Sequence, residues 1–281
     1  MNPPEDVKSL VKEKYSAIAH QSKEHNESSC CGATCGCSVD YSTFSEDYSQ
    51  LKGYNPEADL GLGCGIPTQF AGMKEGNTVI DLGSGAGNDV FVARSFVGPS
   101  GEVIGVDMTE AMIDKARQNN AKVGYANVEF RLGDIEKLPV TADKADVVIS
   151  NCVLNLVPDK RKAFREIYRV LKPGGHFAIS DVVLHGVLPD ALLRDAEMYA
   201  GCVAGAIQEE DYLAIIRESG FTSVSVKTEK QVVLPDVLLL NYLSREELDQ
   251  MKNARTGIKS ITVYGEKPAD TPCCGGRSKC C

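Results

Sequence analysis

The sequence predicts an α/β protein built on a doubly wound sheet, and three observations predict it. Short apolar runs alternate with helical patterns between residues 78 and 183, the first run ends in a glycine-rich turn, and the second closes on a carboxylate, Asp107. The alternation implies βαβ units, because a parallel neighbour needs a crossover long enough to hold a helix. The turn and the acid then mark the carboxyl ends of the strands as the place where a ligand binds.

Taken in order, Val7, Leu10, Val11, Tyr15 and Ile18 recur at helical spacing and predict an amphipathic helix over residues 6–20. Residues 22–40 turn to Ser, Gly, Cys and charge and read as a mobile segment. Gly61, Gly63, Gly65 and Pro67 surround Cys64 and predict a loop. Strands follow at 78–82, 102–107, 128–132, 145–150 and 176–183, with helices at 89–96, 109–122 and 159–171 between them. Thr109 stands at a capping position, and Lys172-Pro173-Gly174-Gly175 closes the third of these helices. Beyond residue 184 the rhythm changes to helices near 190–200 and 209–219 and strands near 223–228 and 258–266. The organisation expected is an N-terminal helix with a Cys-rich segment and loop (1–65), a ligand-binding core (66–186), a smaller C-terminal α+β region (187–267) and a flexible Cys-rich tail (268–281).

Composition narrows the function. A net charge of −9 without a Lys/Arg block argues against a nucleic-acid partner. No stretch approaches the roughly 18 apolar residues of a membrane span, and the charged residues 1–14 lack the apolar core of a secretory signal. The expectation is a cytoplasmic monomer that does not engage a membrane. Eleven cysteines are the anomaly, and three pairs of them, Cys30-Cys31, Cys273-Cys274 and Cys280-Cys281, are sequence neighbours. Neighbours rarely close on each other, so reduced thiols that bind a soft ligand or exchange as redox couples fit better than a disulfide framework.

The run Val79-Ile80-Asp81-Leu82-Gly83-Ser84-Gly85-Ala86-Gly87 is a strand ending in a turn that opens a helix. Its glycines permit φ > 0 and close approach of a ligand to the backbone. Dinucleotide sites carry G-x-G-x-x-G, whereas here Asn88 occupies the sixth position and the third glycine arrives one residue early. Asp107 follows about twenty residues on, where a carboxylate accepts ribose hydroxyls. Gly133-Asp134-Ile135-Glu136 follows the third strand, and Asn151 the fourth. Singly each has an ordinary explanation as a cap, a turn former or a helix stop. Their order along the chain resembles the class I S-adenosylmethionine methyltransferases, which have a Rossmann-like sheet. That resemblance implies cofactor contacts from Asp81, Gly83, Ser84, Gly85, Asp107 and Met108. It also puts Asp134 and Ile135 at the adenine and Asn151 near the methionine moiety.

Cys64, Cys152 and Cys202 stand apart from the terminal clusters. Cys64 and Cys202 have small neighbours, which clear space for a ligand, and Cys152 directly follows Asn151 at the crevice. The segments Gly61-Leu62-Gly63-Cys64-Gly65 and Asn151-Cys152-Val153-Leu154-Asn155-Leu156-Val157-Pro158-Asp159 resemble the arsenite S-adenosylmethionine methyltransferases. The resemblance implies that Cys64, Cys152 and Cys202 hold trivalent arsenic as thiolates. It further implies an N-terminal cysteine, Cys31 or its neighbours Cys30, Cys35 and Cys37, in the redox cycle, with thioredoxin or glutathione as reductant, in arsenic detoxification. Read from the residues alone, two rivals stay open. One is methylation of a small organic acceptor with the three cysteines as packing; the other is a thiol-rich arsenic-binding protein without turnover.

Overall fold

A computed structural model describes residues 4–21, 26, 46–189, 192, 205–232, 236–253 and 257–269. The elements in chain order are α1 (Pro4–Ala19), β1 (Thr78–Leu82), α2 (Asn88–Val97), β2 (Glu102–Asp107), α3 (Glu110–Val123), β3 (Val128–Leu132), β4 (Ala145–Asn151), α4 (Lys160–Val170), β5 (Leu171–His185), α5 (Glu209–Glu218), β6 (Thr222–Val232), α6 (Asp236–Leu239), α7 (Arg245–Asn253) and β7 (Gly257–Glu266). The strands form one seven-stranded sheet in the order β3-β2-β1-β4-β5-β7-β6. The first five are parallel, and β7 runs antiparallel to both β5 and β6, so the C-terminal strands extend the same sheet.

Alternation along the strands distributes the core to two faces. Val79, Val103, Val147 and Ile149 pack with Phe91 and Val97 of α2 and Ile113 and Ala116 of α3. Their neighbours Ile80, Ile104, Val148 and Phe177 pack on the other side with Phe164 and Ile167 of α4 and Tyr212 and Ile216 of α5. Central strands therefore carry unbroken apolar runs, because both faces are covered. At the edge, β6 is exposed along most of its length and carries Lys227, Glu229 and Lys230, which discourage further pairing.

Several boundaries moved for identifiable reasons. Asp159 caps α4 by accepting from the Lys162 N–H at 2.9 Å, but α4 ends at Val170, and Leu171 already pairs with Ala145. The Pro-Gly-Gly run thus interrupts the sheet register, which resumes at Val147 opposite His176, rather than stopping the helix. Thr109 does precede α3, yet its side chain caps nothing there; it donates to Asp107 instead. The helices α6 and α7 were not expected, and the helix expected near 190–200 lies outside the described residues except for the buried Leu192. Finally, α1 packs against α3, burying Ile18 and Ala19 beside Met112, and the Lys115 ammonium donates to the carbonyls of Ala19 and Gln21 at its C-terminal end. Lys8, Val11 and Tyr15 of this helix thereby line a crevice at the carboxyl ends of the strands. No helix among the described residues is long and apolar enough to cross a membrane.

Candidate active site

The glycine turn bends as its composition requires. Gly83, Gly85 and Gly87 have φ of 68°, 51° and 100°, and a Cβ on Gly83 would stand 2.4 Å from the Val153 side chain. The N–H groups of Gly83 and Ser84 donate to the Val106 carbonyl, which ties the turn to β2. Asp107 receives the Gly85 N–H at 3.0 Å and the Thr109 N–H at 2.8 Å, so its carboxylate is locked facing the crevice. Ser84 Oγ and Asn88 Oδ1 are buried without a partner among the described residues. Both residues line the crevice, so it offers a bound ligand hydrogen-bonding atoms that the protein does not use itself. Met108, Asp134 and Ile135 line it as well. Asp134 accepts from Lys8 at 2.7 Å and from the Glu136 N–H at 2.8 Å. Burial pushes the Asp134 carboxyl up, but these donors more than offset it and hold it below the usual range.

The crevice is strongly acidic. Burial, followed by the charges of Asp89 and Asp107, pushes Asp81 well above the ordinary carboxylate range. Burial likewise raises Asp89 to about 6, against the opposing hydrogen bonds of Tyr48 and Asn151. Asp107 is raised by burial despite its backbone donors. Keeping the buried Asp81 and Asp89 ionised is costly, and a cationic ligand relieves that cost. Sequence reasoning found Asp81 and Asp107 but missed Asp89 and Tyr48. Asp89 had a faint signal as an acid in the first turn after the glycines; Tyr48 had none.

Asn151 does more than border the methionine region. Its Nδ2 donates to the Gly65 carbonyl at 2.8 Å, Tyr48 Oη at 2.9 Å and Asp89 at 3.2 Å, while its Oδ1 accepts the Cys64 N–H at 3.0 Å. The Gly-Cys-Gly loop is small for this reason. A Cβ on Gly63 would meet Asn151 Nδ2 at 2.8 Å, and one on Gly65 would meet Ser180 Oγ at 2.6 Å. Ser260 Oγ also hydrogen-bonds the Cys64 carbonyl, fastening the loop to β7.

Cys152 follows β4 in a left-handed conformation, φ 59°, rare for a residue with a Cβ. Its N–H donates to the Ser180 carbonyl at 2.8 Å, which sets it beside Asp181 of β5. Cys64 and Cys152 are both buried in an apolar cluster with Val11, Leu156, Val182 and Leu184. The two thiols and the Asp181 carboxylate place one donor atom each within 4.8 Å of one another. Tyr212 Oη donates to Asp181 Oδ2 at 3.1 Å and the Val182 N–H to Oδ1 at 3.0 Å. Burial pushes Asp181 up to about 7, against the Lys160 charge and these donors. Neither Asp181 nor Tyr212 was visible as a site residue in the sequence. The expected Cys31 and Cys202, with Cys30, Cys35, Cys37 and the C-terminal pairs, lie outside the described residues.

A methyltransferase-domain family model matches residues 73–220. An arsenite methyltransferase of Halobacterium salinarum is 47% identical, the match spanning 95% of this chain and 68% of the relative. The chain belongs to the arsenite methyltransferase family. A second arsenite methyltransferase, from Aquipseudomonas alcaligenes, is 34% identical over 83% of this chain and 67% of its own. The crystal structure of an arsenic(III) S-adenosylmethionine methyltransferase from Chlamydomonas reinhardtii superposes with a TM-score of 0.61 at 35% identity, covering 75% of this chain and 68% of that one. This arsenite methyltransferase fold places its glycine turn and its thiols at the same end of the sheet.

Proposed function

We infer that this chain transfers methyl groups from S-adenosylmethionine to trivalent arsenic held by cysteine thiolates. The observation that carries the reading is the meeting of Cys64 and Cys152 in one buried cluster at the edge of the donor crevice, which Cys152 also lines. Asp81, Gly83, Ser84, Gly85, Asp107, Met108, Asp134, Ile135 and Asn151 are the proposed donor contacts. The acidic crevice favours the cationic donor, and the unpartnered Ser84 Oγ and Asn88 Oδ1 offer it hydrogen bonds.

Trivalent arsenic is soft and thiophilic, so Cys64 and Cys152, with Cys202 as the proposed third ligand, select it over hard cations. Three As–S bonds leave a lone pair on arsenic. Aligned with the sulfonium, that pair forms the As–C bond while the S–CH3 bond breaks, and S-adenosylhomocysteine leaves with the sulfur electrons. This chain's contribution is positioning in a water-poor pocket, and no general base is required. The arsenic has then lost two electrons. A pair of thiols returns them by closing a disulfide, with Cys31 (or Cys30, Cys35 or Cys37) as the proposed source and thioredoxin or glutathione as the reductant that reopens it. The vicinal pairs Cys273-Cys274 and Cys280-Cys281 are proposed to capture arsenite for delivery.

Incubation with S-adenosylmethionine, arsenite and a thiol reductant should yield methylated arsenicals on chromatography. Absence of product rejects the reading, and full activity in Cys64→Ser or Cys152→Ser removes that residue from the ligand set.

A further inference from the structure

A buried carboxylate beside two thiols is not what an arsenic site by itself calls for. Arsenic in its trivalent state prefers sulfur, and a third cysteine is already proposed for it, so Asp181 has no part in that reading. Yet Asp181 is 0% exposed and is oriented from two sides by Tyr212 Oη and the Val182 N–H. Oriented donors behind a ligand atom are how proteins aim a metal-binding group.

We propose that Cys64, Cys152 and Asp181 form a two-thiolate, one-carboxylate site for a thiophilic divalent cation of the zinc and cadmium class, and that the cation excludes arsenite when it is bound. The three donor atoms lie within 4.8 Å of one another. A tetrahedral ion with bonds of about 2.1–2.3 Å needs its donors about 3.5–3.8 Å apart, a contraction that side-chain rotation supplies. The parallel register makes the arrangement: Asn151 pairs with Ser180, so Cys152 and Asp181, each one residue further on, emerge side by side. Cys64 is brought in by the Asn151 and Ser260 bonds to its backbone.

Charge supports the same occupant. Two thiolates and a carboxylate carry three negative charges, and the buried Lys160, which acts electrostatically on Asp181, supplies one positive charge. A divalent ion closes the balance to neutrality inside an apolar cluster, where an imbalance is expensive. Mixed sulfur and oxygen donors suit zinc or cadmium, whereas magnesium and calcium require oxygen throughout. Binding displaces the thiol protons to solvent and changes no oxidation state. The binding itself is independent of the arsenic reading; only the exclusion of arsenite rests on it.

The test uses the full chain with Cys30, Cys31, Cys35, Cys37, Cys273, Cys274, Cys280 and Cys281 changed to serine, so that the terminal thiols do not bind the probe. Cadmium ion is titrated in the absence of competing thiol, followed by the thiolate-to-cadmium ultraviolet absorbance, and S-adenosylmethionine affinity serves as the folding control. One cadmium per chain is expected. Its affinity should fall about tenfold or more in Asp181→Asn and several-fold in Tyr212→Phe, and bound cadmium should displace arsenite. Equal cadmium affinity in Asp181→Asn overturns the proposal; if that variant does not fold, equal affinity in Tyr212→Phe does so. Cadmium and arsenite bound together also overturn it. A cadmium site that behaves as expected, together with a chain of unaltered sequence that never methylates arsenite, upholds the binding site and rejects the functional reading alone.

Discussion

The two halves of the site are built by opposite means. The donor crevice is organised around a local motif: a single turn, Gly83 to Gly87, is clamped by Asp107 and flanked by the buried acids Asp81 and Asp89. The thiol pocket is apolar and assembled from residues far apart in the chain, with Cys64, Cys152 and Asp181 converging from two loops and a strand. Local backbone chemistry makes the first, and strand register makes the second. Asn151 is the joint, touching Asp89 on one side and the Cys64 backbone on the other.

Variants that strike one half only would sharpen this contrast. The largest expected effect is on the thiol side. Cys152→Ser or Cys64→Ser should lower arsenite methylation about a hundredfold or more while leaving S-adenosylmethionine affinity, read by calorimetry, nearly unchanged. A parallel loss of donor affinity would break the contrast. Asn151→Ala belongs to both halves and should slow turnover about 10- to 100-fold, as removal of an orienting group does, with a measurable loss in both donor and arsenite binding.

On the donor side, Gly83→Ala meets Val153 and a left-handed φ at once. It should cost about 1–3 kcal/mol of stability by denaturant titration and weaken the donor while arsenite binding persists. Asp89 gives a pH signature. A cationic donor favours the ionised carboxylate, so binding lowers this group from its value of about 6 and releases a proton there. Donor affinity should therefore rise by about tenfold as pH increases through that value and level off above it. Calorimetry in buffers of different ionisation enthalpy checks both the sign and the proton count. The smallest effect is expected from Lys8→Met, which frees α1 from Asp134 and Glu136. Donor dissociation by stopped flow should quicken about two- to fivefold.

The legibility of the fold follows the same division. Thr78–Leu82 and Glu102–Asp107 were readable to the residue, because central strands buried on both faces leave apolar runs between turn residues, and Val128–Leu132, at the sheet edge, was readable although only Val128 and Phe130 of it are buried. Helix α7 was not, since its sequence is largely charged and its packing depends on the tertiary neighbourhood. The antiparallel return of β7 beside β5 was equally hidden, as neither strand's pattern names its partner.

The sequence by itself determined the donor. A turn that needs three glycines and an acid one strand away are local demands, and Asp134 and Asn151, in order after them, complete the pattern that points to the donor. It also named Cys64 and Cys152 through their small and polar neighbours. Only the tertiary structure decided that Asn151 holds the Cys64 loop, that Asp89 joins Asp81 in the crevice, and that Asp181 and Tyr212 stand at the thiols. The Asn151–Cys64 and Tyr212–Asp181 pairings cross strands and loops 87 and 31 residues apart. Register and burial create them, and neither quantity exists until the sheet has closed.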